Sequence, residues 1–118
     1  MPSAKVLWRN AIFAVVRHLS RKEYPRAAAL LLPGDWTAER LEARFAAFFE
    51  EHAALRVDPA ARAPKNTRIV SREDGIWRIE QILLDPEDAN DWALRLQMDV
   101  ARAREEGQAV LELVDILS

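Results

Sequence analysis

The stretch DPEDAND at positions 85–91 places Asp85, Asp88 and Asp91 at every third position. Carboxylates suit hard cations such as Ca²⁺ or Mg²⁺. A calcium-binding loop of the helix–loop–helix type, however, needs ligands at alternate positions, a central glycine and a terminal glutamate, and none of these is met. The stretch reads instead as a solvated hairpin loop with local Asp turns, and neither a metal nor a cofactor is expected. His18 and His52 are the two histidines of the chain. A general base needs an orienting partner and a substrate pocket, and nothing in the sequence pairs these two. His52 is expected at the edge of the core with a satisfied ring nitrogen. The chain has no cysteine and three glycines. That excludes thiolate chemistry, disulfides and zinc–thiolate sites, and no Gly-rich phosphate loop, nucleophile elbow or metal-binding helix motif is present. By itself the chain is expected to be non-enzymatic.

Charge is the other candidate for chemistry. Residues 1–34 hold Lys5, Arg9, Arg17, Arg21, Lys22 and Arg26 against Glu23 alone, a balance of +5; within a total of −2 the remaining residues therefore carry −7. A basic surface of this kind attracts phosphates, although a solvated helix face accounts for the same residues without a partner. Four tryptophans raise the idea of base stacking. Trp8, Trp77 and Trp92 sit on apolar stripes that need covering. Trp36, beside the Pro33-Gly34 break, is expected to be partly exposed.

These residues need elements to position them. With 118 residues, 50% hydrophobic and 31% charged, the chain suits one folded domain, read as residues 1–118. Its longest early apolar run is too short to span a membrane and is bracketed by Arg9 and Arg17, so a cytoplasmic protein without a membrane association is expected. Trp8, Ile12, Val15 and Leu19, widened by Phe13 and Val16, predict a helix over residues 4–20. A short helix follows, started either by the Ser20-to-Glu23 capping-box pattern or by Pro25 in a first turn. Asp35 or Thr37 can cap a third helix ending near His52 or Leu55, with Leu41, Phe45, Phe48, Phe49 and His52 on one face.

Beyond residue 66 the period changes to two. Residues 67–72 predict a strand, and Glu73-Asp74-Gly75 a hairpin turn, because Gly tolerates positive φ. The next strand has Trp77, Ile79 and Leu83 on one face and Ile76, Ile82 and Leu84 on the other, as in a more central strand covered partly on both sides. Trp92, Leu94, Leu96, Met98 and Val100 alternate in a third strand. Residues 102–107 read as a charged turn. In a last strand, 108–117, Leu111 and Leu113 oppose Val110, Val114 and Ile116. Two or three N-terminal helices on a curved antiparallel meander of about four strands is an α+β fold.

Several pieces in order resemble a known family: Arg9-Asn10-Ala11-Ile12-Phe13, residues 45–50, Ala61-Arg62-Ala63-Pro64, residues 77–81, Asp85-Pro86, Asp91-Trp92, Met98-Asp99-Val100 and residues 107–110. Together they are similar to the uncharacterised domain at the C-terminal end of bacterial DEAD/DEAH-box superfamily II helicases. The motor motifs of such helicases are not in this chain. The resemblance implies an accessory role and supplies no catalytic residues. The order of elements is also similar to the cone-shaped folds of nuclear-transport-factor-2-like and cystatin-like proteins, which implies no function.

The expected function is therefore a non-catalytic accessory module that binds a helicase core, in cis or in trans, or its RNA or single-stranded DNA. Arg9, Arg17, Arg21, Lys22, Arg26 and Trp36 are the expected contacts. The alternative is a cone-fold small-molecule binder or enzyme, with Tyr24, His52 and Asp99 as polar groups in a pocket between helices and sheet. A homodimer, joined across a sheet face or the edge of the last strand, is a third option.

Overall fold

A computed structural model describes residues 4–118. The predicted first helix forms as α1 (Ala4–Ser20), and Trp8, Ile12, Val15 and Leu19 on its stripe are buried. Of the two predicted starts for the next helix, the proline start is the one observed. α2 (Tyr24–Ala29) has Pro25 in its first turn, whereas the Ser20 hydroxyl donates backward to the Arg17 carbonyl at 2.6 Å and caps nothing. α3 (Ala38–Glu51) is capped by Thr37, whose side chain accepts from the Arg40 N–H. The face predicted for α3 does turn inward, with Leu41, Phe45, Phe48 and His52 buried and Phe49 partly so.

Four strands follow: β1 (Thr67–Ser71), β2 (Ile76–Leu83), β3 (Trp92–Asp99) and β4 (Leu111–Leu117). They pair antiparallel in the order β1-β2-β3-β4, so the sheet is an open meander and the fold is α+β. The β1–β2 turn is made by Asp74 and Gly75, both at positive φ (57° and 73°), which matches the twist of a tight hairpin. Register carries the core: Ile79 faces Leu96, Leu83 faces Trp92, and Leu96 faces Leu113.

Two sequence expectations are corrected and one is made more specific. The charged turn is a helix, α4 (Val100–Glu106), so Val100 leaves the strand. Asp99 caps this helix by accepting from the Arg102 N–H, Val100 and Ala103 are buried one turn apart, and Gly107 closes it in the left-handed conformation. Second, the partial cover on both sides of β2 is unequal: Ile79, Gln81 and Leu83 are buried on the inner face, while Ile76, Glu80 and Ile82 are part-buried on the outer. On the outer face Arg68, Glu80, Arg95 and Asp115 stand opposite one another across all four strands, alternating in sign. Third, Leu111, Leu113 and Ile116 of β4 all turn inward. A bulge between Leu113 and Asp115 inserts Val114, shifts the alternation by one, and leaves Val114 45% exposed.

The helices cover the inner face. Phe45 and Phe48 are fully buried, and Phe48 meets the Trp92 ring edge-on at 5.3 Å. The space between helices and sheet at this end is filled by rings. The outer edge of β4 is covered by the chain itself. The Leu32 N–H, the Trp36 indole N–H and the Arg44 guanidinium donate to the carbonyls of Leu111, Val114 and Ile116. A strand-to-strand dimer through β4, one of the options above, therefore meets carbonyls that already have donors.

Candidate nucleic-acid interface

The six residues expected to form a contact surface fall into three places. Arg17 lies on the last turn of α1, and Arg21, Lys22 and Arg26 lie in the α1–α2 connection and on α2; all four are exposed. Arg26 leans toward Glu23 at 3.6 Å, and the Lys22 ammonium sits 4.6 Å from the centre of the Phe49 ring. Among the described residues, Arg17, Arg21 and Lys22 have no carboxylate within ion-pair distance, while Arg56, Arg68, Arg95 and Arg102 each have one.

Arg9 is set apart from this group. It precedes Arg17 by eight residues, about 12 Å along the helix axis, and points toward β1 instead. There Trp8, Arg9, Pro64, Thr67, Ile69 and Arg72 line an open groove of about 420 Å³. Arg72 stands 5.2 Å from the centre of the Trp77 ring, and Trp77 packs edge-on against Trp8 at 6.3 Å. Arg62 lies 4.7 Å from the Phe13 ring, on the neighbouring part of α1. Arg62 and Arg72 escaped the sequence reading because they stand 53 and 63 positions after Arg9, too far apart for any spacing rule.

Trp36 belongs to neither cluster. Its indole N–H donates to the Val114 carbonyl at 3.3 Å, and the Arg40 guanidinium covers its ring at 4.1 Å. It sits at the β4 edge, three strand spacings, about 14 Å, from β1. It is half-buried as expected, but its ring already carries a cation.

The three pocket residues are likewise dispersed. Tyr24 is buried against Phe45 at 6.4 Å, and burial together with the nearby Glu42 raises its phenol pKa. Asp99 caps α4. His52, 6% exposed, is held at the far end of α3 by the acidic loop. Its Nδ1 lies 2.7 Å from Glu87 and its Nε2 3.0 Å from Asp91, with Asp85 at 3.6 Å. Both nitrogens face carboxylates, an arrangement that favours the doubly protonated imidazolium, in which both donate. Burial works against that charge, but the hydrogen bonds to Glu87 and Asp91 and the charge of Asp85 prevail and raise the His52 pKa.

Asp85 is 1% exposed and accepts from the N–H groups of Ala89 and Asn90 at 3.0 and 2.9 Å, a local Asp turn of the kind expected. Burial would raise its pKa; those N–H bonds and His52 lower it instead. His52, Asp85 and Glu87 stand close enough to share an ion, as do Glu51, His52 and Asp91. A metal needs a lone pair on the imidazole, so binding one would compete with the ring's hydrogen bonds to Glu87 and Asp91. The cluster is a fastener between α3 and the β2–β3 loop.

The family described as "Domain of unknown function (DUF3516)" has a model that matches residues 2–116, and so takes in every element of the fold. The chain belongs to this family. No curated protein and no solved structure matches the chain significantly. Both basic clusters and the His52 fastener of this DUF3516 domain lie within the matched residues. Among the described residues no helix is long and apolar enough to cross a membrane.

Proposed function

We propose that this domain is a non-catalytic accessory module that contacts single-stranded RNA or DNA through the cationic side of α1 and α2. In this reading it works beside a helicase motor, in cis or in trans, as its resemblance to the C-terminal domains of DEAD/DEAH-box helicases implies. The observation that carries it is the contrast in pairing. Arg17, Arg21 and Lys22 lack carboxylate partners among the described residues, whereas Arg56, Arg68, Arg95 and Arg102 have them. Exposed cations without carboxylate partners, at the end of α1 and in the α1–α2 connection, suit a phosphate backbone, which gives affinity without base readout. The pocket alternative finds less support, because rings fill the interior near Phe45, Phe48 and Trp92 and its three polar residues stand apart.

Titration of fluorescently labelled single-stranded RNA and DNA at two salt concentrations is the test. With about four phosphates neutralised, log K should fall with log[salt] at a slope of about −3. Arg17→Glu combined with Arg21→Glu should weaken binding more than tenfold. Absence of binding at both salts removes the nucleic-acid part of the reading.

A further inference from the structure

The groove between α1 and β1 holds an unexplained donor. Trp8 is 2% exposed, and its indole Nε1 is the buried side-chain polar atom that has no hydrogen-bond partner among the described residues. Buried polar groups in native folds are nearly always paired, so an orphan calls for a physical reason. Here the orphan belongs to a residue that forms one wall of the groove, and among the described residues the charged side chains lining that groove are the cations Arg9 and Arg72. Its one hydroxyl, on Thr67, donates inward to Gln81. The lining thus offers two guanidinium groups and no carboxylate.

We propose that this groove is a phosphate-binding subsite for one nucleotide unit. Arg9 and Arg72 supply the charge-assisted donors, and the Trp8 indole N–H, buried in the free structure, becomes a neutral third donor once the ring shifts to admit the ligand. Guanidinium groups match phosphate oxygens two at a time, which makes arginine the favoured partner at such positions. The groove reaches its two arginines from opposite sides. Arg9 comes from α1, whereas Arg72 follows β1 and is steadied by the Trp77 ring at 5.2 Å. Trp77 in turn packs edge-on against Trp8 at 6.3 Å, so the third donor and the second cation share one aromatic support. At about 420 Å³ the groove lies within the size range of small-molecule sites, about 300–1,000 Å³. The subsite rests on the nucleic-acid reading only for the source of the phosphate, either a phosphodiester in a strand or a free nucleotide.

The test uses the full chain labelled with ¹⁵N and follows the four tryptophan indole N–H signals, with Trp8 assigned by Trp8→Phe. Adenosine monophosphate, adenosine and a short single-stranded oligonucleotide are titrated separately. A parallel anisotropy titration reports oligonucleotide binding by itself. The expected result is a shift of the Trp8 signal with the monophosphate and none with adenosine. In Arg9→Gln combined with Arg72→Gln, with folding checked by circular dichroism, the midpoint should rise at least tenfold. An equal shift with adenosine, or an unchanged midpoint in the double variant, overturns the subsite. Oligonucleotide binding that leaves the Trp8 signal in place, with no response to the monophosphate, also overturns it and leaves the accessory reading standing. A Trp8 shift with the monophosphate but no oligonucleotide binding supports the subsite and removes the strand-binding reading.

Discussion

The two ends of this domain treat polar groups in opposite ways. At the end of α3, His52 and Asp85 are both buried, and each has more than one partner: two carboxylates at 2.7 and 3.0 Å for the ring, two backbone N–H groups for the carboxylate. At the groove between α1 and β1, two arginines stand on opposite sides and Trp8 lines the space between, its buried indole N–H without a partner among the described residues. Histidine among acids looks like chemistry in a sequence, and a scattered tryptophan looks like packing. The structure agrees with the expected satisfied ring of His52 and adds a donor without a described partner at Trp8. Saturated groups hold the fold together, and the donor without a partner marks where the proposed ligand would bind.

The largest effect should come from breaking the saturated end. Asp85→Ala removes two loop hydrogen bonds and one charge facing His52, and leaves the loop N–H groups without their acceptor. Hydrogen bonds to charged groups contribute about 1.5–3 kcal/mol each, so a loss of about 3 kcal/mol is expected in urea unfolding. A loss under 1 kcal/mol would show that the fastener is decorative.

The same end should respond to pH in a defined direction. The folded pKa of His52 is raised, so its contribution is complete below the ordinary value of 6.5 and is lost as pH climbs through the folded value. Asp85 is the mirror case. Its folded pKa is lowered, so its contribution is present above the ordinary 3.8 and is lost as pH falls through the folded value. The fastener is therefore strongest between those two ordinary values. Wild type should lose urea resistance between pH 6 and pH 9, and His52→Gln should lose less over that interval; parallel curves for the two proteins would dismiss the ion pair.

A smaller effect separates backbone from side-chain causes. Gly107 closes α4 at φ 68° with open space around its absent Cβ. Gly107→Ala should therefore cost about 1 kcal/mol from backbone conformation alone, read from the unfolding midpoint. The smallest effect belongs to the groove. Arg72→Gln should change stability by less than about 0.5 kcal/mol, as exposed substitutions away from packed features do, while weakening oligonucleotide binding. Equal losses of stability at Arg72 and Asp85 would erase the distinction between the two ends.

Much of the fold was readable because its causes are local. The 3.6-residue period of Trp8, Ile12, Val15 and Leu19 and the two-residue period from Trp92 to Met98 need no distant partner. The cap at Thr37 and the Asp74-Gly75 turn are equally local. α4 was legible too and was missed: alternation continued onto Val100, while the cap at Asp99 and the stop at Gly107 marked a helix. The bulge at Val114 had no such mark, since its register is set by the neighbouring strand.

What the amino-acid order determined by itself is the class of the fold, the positions of its helices and strands, and a basic first third. Periodicity and capping act within a few residues, so those features are written locally. Tertiary structure alone decided which polar groups meet. It carried the 85–91 loop across to His52, more than thirty residues earlier, and brought Arg72 beside Arg9. It also left the Trp8 N–H without a partner among the described residues. Contacts over such separations depend on how helices settle on a twisted sheet, and no short-range pattern encodes that geometry.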